Sequence, residues 1–246
     1  KDDTRLIRAK TSDNPFLPEG FIDSLLENYP PQLIQAYLNG NFCNLTSGQV
    51  YSRFSREKHL INELPFPLEN EVLKIGIDFN VMNCNAVVCV TTGGKLLVVD
   101  EIVKQQDTDA LAREIKRRYG NNKIFVYPDA SGAARSTINA SKTDIAILES
   151  YGFTSMALRS NPPIKDRVQT LQAVLENSKG QVRMSIYSKA TRLIECLELQ
   201  SYDEKTGDPD KQNGYDHLND ALGYLCYREF NMIYSRAGQK TGIRIY

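Results

Sequence analysis

The chain has 246 residues, 41% of them hydrophobic, and its 30 Lys and Arg balance 30 Asp and Glu to a formal net charge of zero. That length holds one large domain, or one domain with an appendage, and the composition is ordinary for a globular protein. No apolar run approaches the ~20 residues of a membrane helix, and the opening KDDTRLIRAK is not a signal peptide. The first residue is not Met, so we expect a piece of something longer. Five scattered cysteines (Cys43, Cys84, Cys89, Cys196, Cys226) predict reduced, mostly buried thiols in a cytosol rather than a disulfide framework or a zinc knuckle. Zero net charge neither suggests nor excludes a nucleic-acid partner, because local patches decide.

Residues 12–48 read as two short helices. Pro18 can open the first, which carries Phe21, Leu25 and Leu26 on its apolar face. Pro30–Pro31 ends it and starts a second that runs to Gly40. GQVYSRF then looks like a short strand, and the two prolines of NELPFPLENE mark a linker, which places a boundary near residue 70. Residues 73–80, 85–92 and 95–103 are rich in Val, Ile and Leu, and Gly93–Gly94 marks a hairpin, which predicts an antiparallel meander. A helix follows, capped by Asp107 or Thr108 and stopped at Gly120. KIFVYPD is a buried strand ending at Asp129. Then come a helix (SKTDIAILESYG), a strand (FTSMAL), a long amphipathic helix with Val168, Leu171 and Leu175 inward, a short strand (QVRMSI) and another helix (SKATRLIECLELQ). A polar loop over 201–215 leads to a last helix at 216–230. This order predicts an α/β fold with a mixed sheet flanked by helices.

Asp78 lies inside an apolar strand, where an unpaired carboxylate costs several kcal/mol. Asp129 ends a second buried strand, and α/β sheets bind ligands at the carboxyl ends of their parallel strands. If these two strands are neighbours, the acids meet. On the last helix Asp216 and Asp220 share a face beside His217, opposite Leu218, Leu222 and Leu225. Three acids with no obvious lysine or arginine partner repel one another, and Mg²⁺ or Mn²⁺ would relieve that. Two such ions ~4 Å apart can clamp the attacking and leaving oxygens of a phosphodiester. Plainer readings stand beside each. Asp78 can bond backbone amides, Asp129 can cap the turn before Ala-Ser-Gly, Asp220 can be solvated, and Asp216 can be an N-cap. Asp100 and Glu101 end a strand as ordinary edge charges, or Glu101 supports a metal ligand. His59 reads as structural or exposed.

IGIDFN, VYPDASG and DHLNDALGYL together resemble the metal-binding motifs of the ribonuclease H-like nuclease domain of tailed-bacteriophage terminase large subunits. The resemblance covers about residues 70–230, and NPFLPEGFIDSLLENYPPQLIQAYLNGNF with GQVYSRF resembles the segment joining the terminase ATPase and nuclease domains. It implies a ribonuclease H-like mixed sheet flanked by helices over 71–230, a helical linker over 1–70 that would join an ATPase domain, and a tail over 231–246. It also implies a metal-dependent endodeoxyribonuclease that cuts concatemeric viral DNA during packaging. Asp78, Asp129 and Asp220 would carry two Mg²⁺ or Mn²⁺ ions, and His217 matches a histidine near the metal in some members. Portal protein and small terminase subunit would be partners of the full-length protein, in the host cell cytoplasm with no membrane association.

A packaging motor also needs a Walker A loop. GGKLL lacks Ser or Thr after Lys95, and AGQKTG lacks the upstream glycine, so no ATPase motif is expected in this chain. Arg135, Lys142, Lys165 and Arg167 fall in or after loops at the expected active edge and are candidate phosphate contacts. Lys116, Arg117 and Arg118 read as a solvated helix face. The 201–215 loop, with mixed charge, reads as a flexible flap, and Arg236, Lys240 and Arg244 of the tail could touch DNA. Two other classes remain: another nuclease of this fold (ribonuclease H, junction resolvase or transposase type), and a non-catalytic module that binds DNA or a portal.

Overall fold

The computed structural model describes residues 10–29, 31, 34, 38, 48–80, 82–133 and 143–230. In chain order its elements are α1 (Phe21–Asn28), α2 (Arg56–His59), β1 (Leu60–Ile61), β2 (Val72–Asp78), β3 (Cys84–Thr92), β4 (Lys95–Gln105), α3 (Thr108–Tyr119), β5 (Lys123–Pro128), α4 (Asp144–Ser150), β6 (Thr154–Ser155), α5 (Ile164–Leu175), β7 (Met184–Tyr187), α6 (Thr191–Leu199) and α7 (Asp216–Phe230). The strands form one mixed sheet in the order β1-β7-β4-β3-β2-β5-β6. β2, β3 and β4 are the antiparallel meander, turned at Gly93 and Gly94, whose positive φ values of 56° and 75° suit glycine. β5 pairs with β2 in parallel, and β7 with β4 in parallel.

Alternation along the strands divides the core in two. Leu73, Ile75 and Ile77 of β2 point toward α3 and α4, where Leu111, Ile115 and Leu148 close one face. Val87 and Cys89 of β3, with Leu96 and Val98 of β4, point to the opposite face, covered by α5, α6 and α7. The Asp107 cap is as expected: its Oδ1 accepts the Ala110 N–H at 2.7 Å. Cys84, Cys89, Cys196 and Cys226 are buried and unbridged.

The N-terminal segment departs from expectation. GQVYSRF is a turn rather than a strand, with a single bridge from Gln49 to Ser201. Gln172 on α5 holds that turn, donating to Val50 O at 2.7 Å and accepting from Arg53 N–H at 3.1 Å. Val50, Tyr51 and Phe54 enter the same core as α5 and α7, and Leu60–Ile61 joins the sheet edge beside β7. Val50, Tyr51, Phe54 and Leu60–Ile61 thus pack against the sheet and helices that follow residue 70. His59 is structural and fully buried, with Nε2 3.0 Å from Leu175 O. The strand expected at FTSMAL shortens to two residues. The helix expected to run to Gly40 lies mostly outside the described residues, as do Cys43 and the tail with Arg236, Lys240 and Arg244.

Candidate active site

The site begins with the parallel pairing of β2 and β5. Ile77 is in register with Pro128, and the Asp129 N–H donates to Ile77 O at 3.1 Å. Asp78 and Asp129 therefore leave the same sheet end on adjacent strands, where sheets of this type present their ligand sites. The third acid arrives through packing. A Cβ at Gly76 would lie 2.1 Å from the Ala221 carbonyl oxygen, so only glycine lets α7 lie this close to β2. Two residues further along β2 on the same face, Asp78 meets the first turns of α7. Its Oδ2 lies 3.1 Å from His217 Nδ1 and accepts from Asn80 Nδ2 at 3.0 Å. At the other end of α7, Glu229 pairs with Lys74 of β2.

Each acid has its own surroundings. Asp129 Oδ1 accepts from the Ser131 N–H at 2.6 Å and from Asn161 at 2.7 Å, and its Oδ2 accepts from Tyr224 OH at 3.1 Å. Burial acts to raise its pKa, and these bonds to the ionised form outweigh that and hold it below the usual carboxylate range. Asp220 goes the other way. Burial pushes it up, aided by the charges of Asp78 and Asp216, while Arg167 and Lys211 pull it down without fully offsetting the rise. For His217 the bond to Asp78 is the largest influence and raises its pKa, against burial.

The expectation that the acids lack an arginine or lysine partner does not hold for Asp220. Arg167 Nη1 lies 3.2 Å from Asp220 Oδ1, and Lys211 Nζ lies 3.6 Å from Oδ2. Arg167 is 5% exposed and its guanidinium lies over the Tyr224 ring, 4.2 Å from the centroid. It is therefore a buried counter-ion rather than a surface phosphate contact; it sits in the first turn of α5, on the side that carries Leu171. The helical spacing Arg167–Leu171 was the readable signal for burial, and Asp220–Tyr224 has the same four-residue spacing. Tyr224, Asn80 and Asn161 were missed, because nothing local marks them.

The remaining candidates separate. Glu101 accepts the Arg192 N–H at 2.9 Å and the Leu193 N–H at 2.7 Å, so it caps α6 from a strand and its carboxylate is already engaged. Asp100 is likewise committed, to Arg118 and Tyr119 at 2.6 Å each. Asp216 is not a side-chain cap: it is the first residue of α7, buried, and its Oδ1 has no hydrogen-bond partner. Lys165 is exposed on α5. Arg135 and Lys142 lie outside the described residues. The 201–215 loop is a small hairpin: Asp203 N–H donates to Asp208 O at 2.8 Å and Asp210 N–H to Ser201 O at 2.9 Å.

Among the described residues no three His, Cys, Asp or Glu side chains converge into a finished metal cage. The donor chemistry nevertheless suits a hard divalent cation: carboxylates from two strand ends and a helix, beside one imidazole. The orphaned Asp216 Oδ1 and the under-compensated Asp220 are both features that a cation would relieve.

A mixed sheet of this order, flanked by helices and carrying acids at the ends of β2 and β5 and on α7, defines a ribonuclease H-like nuclease fold. Residues 75–229, more than half of the chain, match the family model described as Terminase RNaseH-like domain, and the chain belongs to that family. The large terminase of a thermophilic bacteriophage superimposes with a TM-score of 0.68 at 19% identity, over 89% of this chain and 54% of that one. The P22 large terminase nuclease domain gives 0.55 at 15% identity, over 80% of this chain and 100% of that one. The chain thus spans about half the length of the thermophilic phage protein. No curated protein matches it. Among the described residues no helix is long and apolar enough to cross a membrane.

Proposed function

We propose that this terminase-type nuclease domain cuts double-stranded DNA during viral genome packaging, with divalent cations held by Asp78, Asp129 and Asp220. The observation that carries the reading is the seating of α7 on Gly76, which delivers Asp220 and His217 to the strand end that bears Asp78. Two Mg²⁺ or Mn²⁺ ions would supply the Lewis acidity that activates water toward phosphorus and stabilises the leaving 3′-oxygen. The protein's part is to hold the carboxylates. Asp129 is held toward its ionised form by Ser131, Asn161 and Tyr224, and Arg167 opposes, without fully offsetting, the rise that burial imposes on Asp220. His217 steadies Asp78, its Nδ1 lying 3.1 Å from Asp78 Oδ2. Little sequence preference is expected, since no base-reading motif is present.

The stretch carries no Walker A loop, so the packaging motor would belong to another part of a longer protein. Portal and small-subunit contacts, and action in the host cytoplasm, would likewise be properties of that whole protein. The test is plasmid cleavage. The chain should nick and linearise duplex DNA with Mn²⁺ or Mg²⁺ and stop in EDTA, and Asp78→Asn should be inactive. Cleavage that persists in EDTA, or in Asp78→Asn, would defeat the reading.

A further inference from the structure

Asp220 carries two cations of unlike permanence. Arg167 is buried, its guanidinium over the Tyr224 ring and 3.2 Å from Asp220 Oδ1. Lys211 is different: its side chain is 54% exposed, and its ammonium stands 3.6 Å from Asp220 Oδ2. An exposed pair at that distance is weak. The backbone around it is nonetheless held. Asp210 Oδ1 accepts the Gln212 N–H at 2.9 Å, and Arg192 Nη2 donates to Gly214 O at 3.1 Å. The ammonium can therefore swing away on its four-carbon stem while the loop stays in place.

We propose that Lys211 is a DNA-phosphate contact which, in the DNA-free protein, occupies a cation position at Asp220, so that duplex binding withdraws it and strengthens divalent-metal binding at the site. This rests on the reading of the site as a metal-dependent DNA nuclease. A divalent ion approaching Asp220 in the free protein meets the like charge of Lys211. A phosphate oxygen is the better partner for that ammonium, because Asp220 already shares its charge with Arg167. Two of the four acids of the same loop are engaged within it: Asp203 accepts from the Lys205 and Thr206 N–H groups, and Asp210 from Gln212 and Asn213.

The experiment is titration of Mn²⁺, followed by loss of the free-ion electron paramagnetic resonance signal, with and without a phosphorothioate duplex that resists cutting. Wild type should bind Mn²⁺ more tightly when duplex is present. Lys211→Met should bind it roughly tenfold more tightly without DNA, and gain little from duplex. Lys211→Arg should behave as wild type. Duplex affinity of Lys211→Met in EDTA should fall, with a salt slope smaller by about one. Asp78→Asn separates the two readings. If it binds Mn²⁺ as wild type does, the metal-nuclease reading fails. If it loses Mn²⁺ while Lys211→Met matches wild type, or binds more weakly, without DNA, the Lys211 proposal alone is overturned.

Discussion

Replacing Gly76 by Ala tests whether the close seating of α7 builds the site. The added Cβ would stand 2.1 Å from the Ala221 carbonyl oxygen and 2.8 Å from its carbon. An unstrained C···O contact is about 3.3 Å. The obstacle is helix backbone, which has no rotamer to change, so α7 or β2 must shift by about 1 Å. Overpacking of this kind costs about 1–3 kcal/mol. The shift also withdraws His217 and Asp220 from Asp78, two residues along the strand, and misplacement by 1 Å costs on the order of 100-fold in rate. Urea unfolding and Mn²⁺-dependent plasmid cleavage would be measured on the same preparation. We expect both losses together, with the rate loss exceeding what unfolding explains, since Gly76→Ala should still be folded at assay temperature. Wild-type stability with wild-type cleavage would refute the argument that glycine at this position sets the distance between the acids.

Arg167→Met leaves Asp220 buried with only Lys211 beside it, and should cost about 3 kcal/mol in urea unfolding. The double variant Arg167→Met/Asp220→Leu should recover much of that loss, and simple additivity would show that the pair is not coupled. Glu101→Gln weakens the cap on α6 and should cost about 1 kcal/mol. Its pH profile should also flatten. Burial holds the Glu101 carboxyl above its ordinary value, so the folded state binds the proton more tightly, and wild type loses stability as pH rises from about 4.3 through the raised value. A melting series across that window checks both points. Asp216→Asn removes a buried carboxylate with an unpartnered oxygen near Asp220, so in EDTA it should melt at or above the wild-type temperature. A marked drop would instead show that the Asp216 charge is stabilising, through His217 Nδ1 3.8 Å from its Oδ2.

Local pattern carried most of the framework. Alternation and β-branched content mark β2, β3 and β4, Gly93–Gly94 marks their hairpin, Asp107 caps α3, and the α7 boundaries fall where the leucine spacing puts them. These features depend on neighbours within a few residues, so a linear reading reaches them. Asp78, Asp129 and Asp220 also stand out in the sequence as candidates, because a carboxylate in an apolar run or opposite a leucine face contradicts its surroundings. What tertiary structure decided are the partners. Gln172 grips a turn 122 residues earlier, Glu101 caps a helix 91 residues later, and Arg167 meets Asp220 only because α5 and α7 pack side by side. The edge strand Leu60–Ile61 likewise gains its identity from β7, far along the chain. Two residues have too little periodicity to announce a strand, and a charged side chain does not announce which distant charge it will face. Burial and pairing are set by which elements share a face of the sheet, and that is a property of the packed whole.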